Sequence, residues 1–161
     1  MKGTEHRPSR PIHRGDVVLV AFPFTDLSAR KLRPAVVLHV DRRRIDCVLV
    51  FVSTREISRH EPEEVVILPT HPEFAMTGLA APSKIRASKL VTLAMDLVKR
   101  WLGRLGPLLG ADLDRALVTA LGIDTAPFRE AGRRDERVRL ARLHRAGGAE
   151  AVLSDLRLPA V

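Results

Sequence analysis

Arg33 and Ser53 are the two residues whose types and positions most directly suggest a chemical role. Arg33 stands before a proline in the stretch LRPAVVLHV, residues 32–40. The residue before a proline is restricted to extended backbone, so the Arg33 side chain leaves the chain in a defined direction. Ser53 directly follows a second apolar run, IDCVLVFV, residues 45–52. Each of the two apolar runs therefore has a hydrogen-bond donor at one of its ends.

The two apolar runs are predicted to pair as a hairpin. AVVLHV (35–40) and IDCVLVFV (45–52) are separated by the charged turn DRRR (41–44). Pairing about that turn brings the start of one strand beside the end of the other, so we expect Arg33 close to Ser53. A guanidinium donates two parallel hydrogen bonds to a phosphate, and a hydroxyl adds another. For an isolated pair, a solvated arginine and a strand-ending serine would be the simpler interpretation.

The composition is that of a basic, globular chain of one-domain size. Of the 161 residues, 45% are apolar and 29% are charged, the formal net charge is +8 and the pI is about 10.9. This charge favours polyanionic partners, nucleic acid first and an acidic protein or membrane surface second. Aromatic residues make up only 4% of the chain and tyrosine is absent, which argues against single-strand binding by base stacking.

The sequence contains no pattern typical of membrane insertion, secretion or metal binding. No apolar run reaches membrane-spanning length, and the basic N-terminus lacks the apolar core of a signal peptide. Cys47 is the single cysteine, which excludes an intrachain disulfide and suits a reducing cytoplasm. The six histidines and one cysteine show no ligand spacing, so we expect neither a metal nor another cofactor.

Three more strands are predicted around the hairpin. DVVLVAF (16–22) is a β-branched run closed by a proline, and EVVIL (64–68), set between two prolines, is expected at a sheet edge. SKIRASKLVTLAM (83–95) alternates between polar and apolar positions with period two. Lys89 breaks this alternation, which fits a bulge and a site residue about equally well.

The periodicity changes from strand to helix near the end of this region. In DLDRALVTALG (112–122) the apolar residues lie at helical spacing, with Asp112 as a predicted N-cap and Gly122 at the end. A polar, basic loop over 23–33 is longer than most hairpin connections. Short strands followed by one helix predict a mainly β fold, an antiparallel barrel or half-barrel with the helix packed on it.

Three segments differ in composition and are predicted to be organised separately. Residues 1–13 are charged and rich in proline, which predicts a flexible lead-in. Residues 14–124 contain the strands and the helix and are predicted to form the folded domain. Residues 125–161 are basic, with thin apolar stripes at helical spacing, which predicts a helical C-terminal extension.

The order of the motifs resembles the MazF/PemK family of toxin endoribonucleases. The resemblance covers roughly residues 14–122 and lies in RGDVVLVAFPFTD, LRPAVVL, VLVFVST, TGLAAPSKIRASKLVTL and LGRLGPL. It implies an SH3-like antiparallel β-barrel with a C-terminal helix, in a protein that usually works as a homodimer. It also implies metal-independent cleavage of single-stranded RNA at short sequence motifs, through attack of the neighbouring 2′-hydroxyl. The products would have 2′,3′-cyclic phosphate and 5′-hydroxyl ends.

The resemblance gives Arg33 and Ser53 catalytic roles. Arg33 matches the arginine of the family's R-P motif, and Ser53 matches its catalytic threonine, or Thr54 if the register is off by one. Serine keeps the hydroxyl but loses the methyl that restricts the rotamer. Arg55 stands where the family often has glutamine or asparagine, which predicts a changed RNA preference. The residues expected to grip the RNA backbone are basic, namely Arg30, Lys31, Arg55, Lys84 and Arg86.

The resemblance also implies partners and leaves two competing functions. A toxin of this kind implies a cognate MazE/PemI-like antitoxin, whose acidic extended segment would suit the +8 charge as well as RNA does. The 23–33 loop is a candidate flap over the site. The main competitor is a CcdB-like DNA gyrase poison of the same fold, although such a toxin needs no phosphate-binding arginine. The other competitor is a non-cleaving RNA-binding or regulatory module.

Overall fold

The computed structural model describes residues 10–22, 32–127, 132 and 135–136. The chain divides into two compact units, residues 1–122 and residues 123–161. In the second unit, residues 126–127, 132 and 135–136 are helical, and the rest of the predicted helical extension lies outside the described residues. Within the described part of the chain, no helix is long and apolar enough to span a bilayer.

The first unit is built on one six-stranded antiparallel sheet. Its strands are β1 (Asp16–Ala21), β2 (Leu32–Val40), β3 (Asp46–Ser53), β4 (Glu64–Ile67), β5 (Ser83–Ala94) and β6 (Val98–Arg104). They lie in the order β4-β5-β3-β2-β1-β6, so β4 is an edge strand as predicted. The predicted mainly β class with a helix is confirmed, but the sheet is open between β4 and β6 and not hydrogen-bonded into a closed barrel.

Both faces of the sheet are apolar at its centre. Val36 and Val50 lie on the face that packs against the C-terminal helix α2 (Pro107–Leu121), together with the helix residue Leu109. Val37 and Leu49 belong to a second buried cluster on the opposite face. Because neither face of β2 or β3 is solvated there, these strands are nearly continuous runs of valine and leucine and do not alternate with polar residues.

The strand pairing corrects one prediction made from the sequence and confirms another. β2 begins at Leu32, so Arg33 lies inside the strand and not at its mouth, because the backbone of β1 pairs with it as far as Ala21. In the β3–β5 ladder the register jumps where Val50 and Phe51 meet β5, leaving residues 87–89 as an irregularity. Lys89 is exposed in this bulge, which confirms that interpretation of the broken alternation.

The helix α2 begins five residues before the predicted start. Gly106 precedes its first residue, Pro107, and Glu73 caps it from a distant loop, accepting the backbone N–H groups of Leu108 (2.9 Å) and Leu109 (2.8 Å). Asp112 was therefore the wrong cap. A Cβ on Gly106 would overlap the Glu73 carboxylate, so a side chain at position 106 would displace this cap. The predicted end is confirmed, since Gly122 has left-handed backbone.

Two short helical elements were not predicted from the sequence. The four-residue helix α1 (Phe74–Thr77) follows Glu73 and ends at Gly78, whose φ is 66°. A Cβ at Gly78 would overlap the carbonyl of Leu102, so the turn after α1 lies directly against β6. A 3-10 turn (Met95–Leu97) joins β5 to β6.

Candidate active site

Arg33 lies on β2 with part of its guanidinium buried. Its backbone pairs with Val20 of β1. Its Nε is one of three buried side-chain nitrogen or oxygen atoms that have no hydrogen-bond partner in the described part of the chain. A buried N–H without a partner costs on the order of 1–3 kcal/mol unless a ligand satisfies it. The Arg33 guanidinium is therefore a candidate for binding an anion.

Ser53, the last residue of β3, is aligned with Arg33 when the β2–β3 register is continued past its last pair. That last pair is Ala35 with Phe51, and two more residues in the same register bring Arg33 opposite Ser53, a position that the ladder itself does not reach. We call the residues aligned in this way across the strands the row. Directly opposed residues of antiparallel strands point to the same face of the sheet. The Ser53 Oγ accepts the backbone N–H of Arg55 at 3.1 Å. One acceptor site of the hydroxyl is thus used, and its O–H proton remains available to donate.

The next residue in the row is Lys84, and its ammonium is already engaged inside the protein. Lys84 is paired with Ser53 in the β3–β5 ladder. Its Nζ donates to Glu64 Oε2 at 2.7 Å and to the carbonyl of Arg59 at 2.8 Å, and its side chain is 5% exposed. Lys84 therefore ties the loop after Ser53 to the sheet, and its ammonium is not presented to solvent.

Glu64 is the carboxylate at the centre of this cluster. Its Oε1 accepts Arg86 Nε at 2.9 Å, on the other side from Lys84. Burial alone would raise the pKa of Glu64, but hydrogen bonds from Lys84, the Glu61 N–H and Arg86, with the Lys84 charge, outweigh it and lower the pKa. The Arg86 side chain is 39% exposed, so it remains partly accessible to a ligand.

The other predicted backbone-binding residues are distributed differently. Arg55 is exposed directly after Ser53 and Thr54, in a turn where Glu56 has a φ of 51°. Arg30 and Lys31, with most of the candidate flap, lie outside the described residues. Within the described range, the cations nearest Ser53 in the chain or in the row are therefore Arg33, Arg55 and Lys84, whose charge is paired with Glu64.

A groove of about 1110 Å³ lies beside this row and was not predicted from the sequence. Thr54 lines it directly after Ser53, and Val66 lines it as the β4 partner of Lys84. Three chain segments form the groove, so no local motif could have revealed it. Its lining residues are Thr54, Ile57, Ser58, His60, Val66, Leu68, Thr70, His71, Pro72, Ala81 and Pro82.

Among the described residues, neither Cys47 nor a metal-binding cluster of side chains contributes to this site. Cys47 is buried, and burial, followed by the charge of Asp46, raises the pKa of its thiol to about 11, so it stays protonated near neutral pH. In the described ranges, no group of three or more histidine, cysteine or acidic side chains is arranged to hold a metal ion.

The open sheet and the C-terminal helix define a small, mainly β protein, whose candidate site lies at one end of the sheet. The chain belongs to the family described as PemK-like, MazF-like toxins of type II toxin–antitoxin systems, whose model matches residues 13–121. Members of this family are known as endoribonucleases. No curated protein matches the sequence.

Solved structures with a similar fold include toxins alone and with an antitoxin. One is an endoribonuclease in complex with its cognate antitoxin from a Mycobacterial species, at 25% identity and TM-score 0.54, covering 71% of this chain and 98% of that one. The Mycobacterium tuberculosis toxin MazF-mt6 has 20% identity and TM-score 0.54, covering 68% and 98%. MazF (Form-I) from Deinococcus radiodurans has 22% identity and TM-score 0.52, covering 68% and 96%.

Proposed function

We propose that this protein is the toxin of a type II toxin–antitoxin pair and cleaves single-stranded RNA without a metal ion. The observation that supports this most directly is the buried, unpartnered Nε of Arg33 in the same row as the Ser53 hydroxyl. Membership of the PemK-like, MazF-like toxin family gives the class of substrate. The similar Mycobacterial endoribonuclease solved with its cognate antitoxin supports the same class.

The reaction is an attack of the RNA 2′-oxygen on the adjacent phosphorus. The 2′-hydroxyl loses its proton, the bond from phosphorus to the 5′-oxygen breaks, and that oxygen takes up a proton. The products are a 2′,3′-cyclic phosphate and a 5′-hydroxyl, with no change of oxidation state. Negative charge develops on the phosphoryl oxygens in the transition state, and a fixed donor aimed at them contributes about 3 kcal/mol.

Arg33 is the residue assigned to stabilise this charge. The partly buried surroundings of its guanidinium strengthen its interaction with a phosphoryl oxygen relative to that of a fully solvated cation. Arginine is not the base, because it stays protonated in proteins. Ser53 donates its O–H to a second phosphoryl oxygen, since its acceptor side is held by the Arg55 N–H.

The basic residues around the row divide into two roles. Arg55 and Arg86 are exposed or half-exposed and are assigned to the RNA backbone. Lys84 is assigned to positioning, because its ammonium holds Glu64 and the carbonyl of Arg59. Arg30 and Lys31 remain predicted backbone contacts. The toxin is further proposed to act as a homodimer and to be neutralised by an acidic antitoxin segment, which the +8 charge suits.

The proposal is tested by incubating the purified chain with a long single-stranded RNA in EDTA and mapping the product ends. Discrete cuts with 5′-hydroxyl and cyclic phosphate ends, absent with Arg33→Ala, are the expected result. Intact RNA with folded wild-type protein, free of antitoxin, would contradict it. A gyrase supercoiling assay on the same preparation then tests the competing gyrase poison.

A further inference from the structure

The groove beside the Arg33–Ser53 row has the features of a nucleobase site. We propose that it binds the base of one nucleotide next to the scissile phosphate, and that His71 determines which base is preferred. This inference rests on the proposed function and adds a specificity residue to it. The proposal is supported by the fixed orientation of the His71 ring, the position of the groove and the chemistry of its walls.

The His71 ring is held with one nitrogen already used. Its Nδ1 accepts the backbone N–H of Glu73 at 3.1 Å. Glu73 is itself held, because its carboxylate caps α2 through Leu108 and Leu109. With Nδ1 as an acceptor, the neutral imidazole has its proton on Nε2. His71 lines the groove, so its remaining ring nitrogen is a positioned donor for an acceptor on a ligand.

The groove lies next to the site of the proposed chemistry, both along the chain and across the sheet. Thr54 lines it and is bonded to Ser53 in the chain. Val66 lines it and completes the row that runs from Arg33 through Ser53 and Lys84. Neighbouring strands lie about 4.8 Å apart, so Val66 is about 10 Å from Ser53 across the sheet. A nucleotide whose phosphate lies at Ser53 can therefore place its own or its neighbour's base in the groove.

The walls suit a neutral, flat ligand with polar edges. Most of the described lining is apolar, including Ile57, Leu68, Pro72 and Pro82, and none of the described lining residues is lysine or arginine. These residues offer a phosphate or an acidic peptide no lysine or arginine to pair with. A base has apolar faces and edges that form hydrogen bonds, and pockets of this kind typically combine apolar walls with a few placed polar groups.

Two substitutions of His71 distinguish the roles of its two ring nitrogens. His71→Asn keeps an acceptor near the position of Nδ1 for the Glu73 N–H but removes the outer donor. His71→Gln keeps a group near the outer position but removes that acceptor. His39→Asn is the matched control, since His39 is exposed on β2 and outside the groove. Each variant and the wild type cleave a pool of random-sequence RNA, and the bases around every cut are counted.

With His71→Asn, we expect base preference at one position beside the cut to fall about three- to tenfold, the effect of one lost hydrogen bond. Preference at the other positions and the dependence on Arg33 should stay unchanged, as should the whole motif with His39→Asn. We expect His71→Gln to retain more of the preference than His71→Asn. An unchanged motif in folded His71→Asn protein, with normal wild-type cleavage, would overturn the base site and leave the proposed function intact.

A binding measurement tests the base site without cleavage. In the Arg33→Ala protein, the His71 ring signals are followed by NMR while each of the four nucleoside 5′-monophosphates is added. A shift of the Nε2–H signal that is larger for one base than for the others is expected. Equal or absent shifts with all four nucleotides would overturn the inference and would favour an apolar peptide as the ligand of the groove. Absence of wild-type RNA cleavage would count only against the proposed function.

Discussion

At the scale of single residues, the Ser53 hydroxyl is the group whose role a small change tests best. Its oxygen accepts the Arg55 N–H, so its proton is directed away from the backbone. Ser53→Ala removes the donor and should slow RNA cleavage about 100-fold, the usual effect of losing one oxyanion donor. Ser53→Thr should retain or raise the wild-type rate, because the methyl restricts the rotamer. Single-turnover rates check both variants, and a threonine variant as slow as alanine would contradict the assignment.

Glu64 makes a second residue-scale prediction, on stability and pH. Its pKa is lowered in the folded state. The stability that Glu64 contributes is therefore complete above its unfolded-state pKa of about 4.3 and is lost as the pH falls through the folded-state pKa. Glu64→Gln should cost about 3 kcal/mol or more near neutral pH, because it leaves the Lys84 ammonium buried and uncompensated. The mutant's deficit should shrink as the pH falls below about 4.3, where the carboxylate of the unfolded wild type takes up a proton, and should be smallest below the lowered folded pKa.

Urea unfolding at several pH values measures this effect. Glu63→Gln is the control, since Glu63 precedes Glu64 in the chain and lies outside the Lys84–Arg86 cluster. A Glu64→Gln deficit that stays the same from neutral to acidic pH would contradict the account of the cluster.

The hairpin of β2 and β3 could be predicted, whereas the pairing of Lys84 with Glu64 could not. The first has a register that follows from a short turn. The second depends on β4 lying beside β5, with a long loop and α1 between them. Lys84 therefore looked like a free RNA contact in the sequence, although its charge is already paired in the fold.

At the scale of elements, the start of α2 depends on a carboxylate far away in the chain. Glu73 accepts two N–H groups of the first turn, which would otherwise lack partners. Glu73→Gln should lower the free energy of unfolding by about 1–2 kcal/mol, the usual size of a lost cap together with its charge at the helix N-terminus. Thermal or urea unfolding measures this.

Asp112→Asn is the matched control for the cap. Asp112 lies on α2, and its ion pair among the described residues is with Arg115 on the helix surface. Its loss should change stability by no more than about 0.5 kcal/mol. Equal effects of the two substitutions would show that Glu73 is not the cap that fixes the start of α2.

The elements differ in how far their sequences determine them. β1, β3 and the end of α2 follow from apolar runs and from Gly122, which are local signals. The start of α2 depends on Glu73, which is distant in the sequence. The extension of β2 to Arg33 depends on its pairing with β1. Local patterns have no access to such partners.

At the scale of the whole molecule, the charge of +8 predicts salt-dependent RNA binding. For single strands, the slope of log K against log salt concentration is about −0.7 for each phosphate contact. In a non-cleaving Arg33→Ala background, Arg55→Ala and Arg86→Ala should each reduce the slope by about 0.7. Filter binding at several salt concentrations measures it. Arg43→Ala, exposed in the turn between β2 and β3 at the opposite end of these strands from Arg33 and Ser53, should leave the slope unchanged.

The overall fold could be predicted from the sequence better than the site could. Short β-branched runs and the R-P and strand-end motifs were sufficient for the mainly β class and for the family. The groove next to Ser53 was not predicted, because three separate segments form it and none has a distinctive composition. Features that depend on several strands meeting in space are those that a single sequence predicts least well.

The central claim is that Arg33 stabilises the charge on the phosphoryl group during cleavage. The measurement is the single-turnover cleavage rate of one short RNA by wild-type, Arg33→Lys and Arg33→Ala proteins, each shown to be folded. We predict a loss of about 100- to 1000-fold for alanine, with lysine between alanine and wild type, because a point charge lacks the paired donors of the guanidinium. An alanine variant that cleaves at the wild-type rate would contradict the claim.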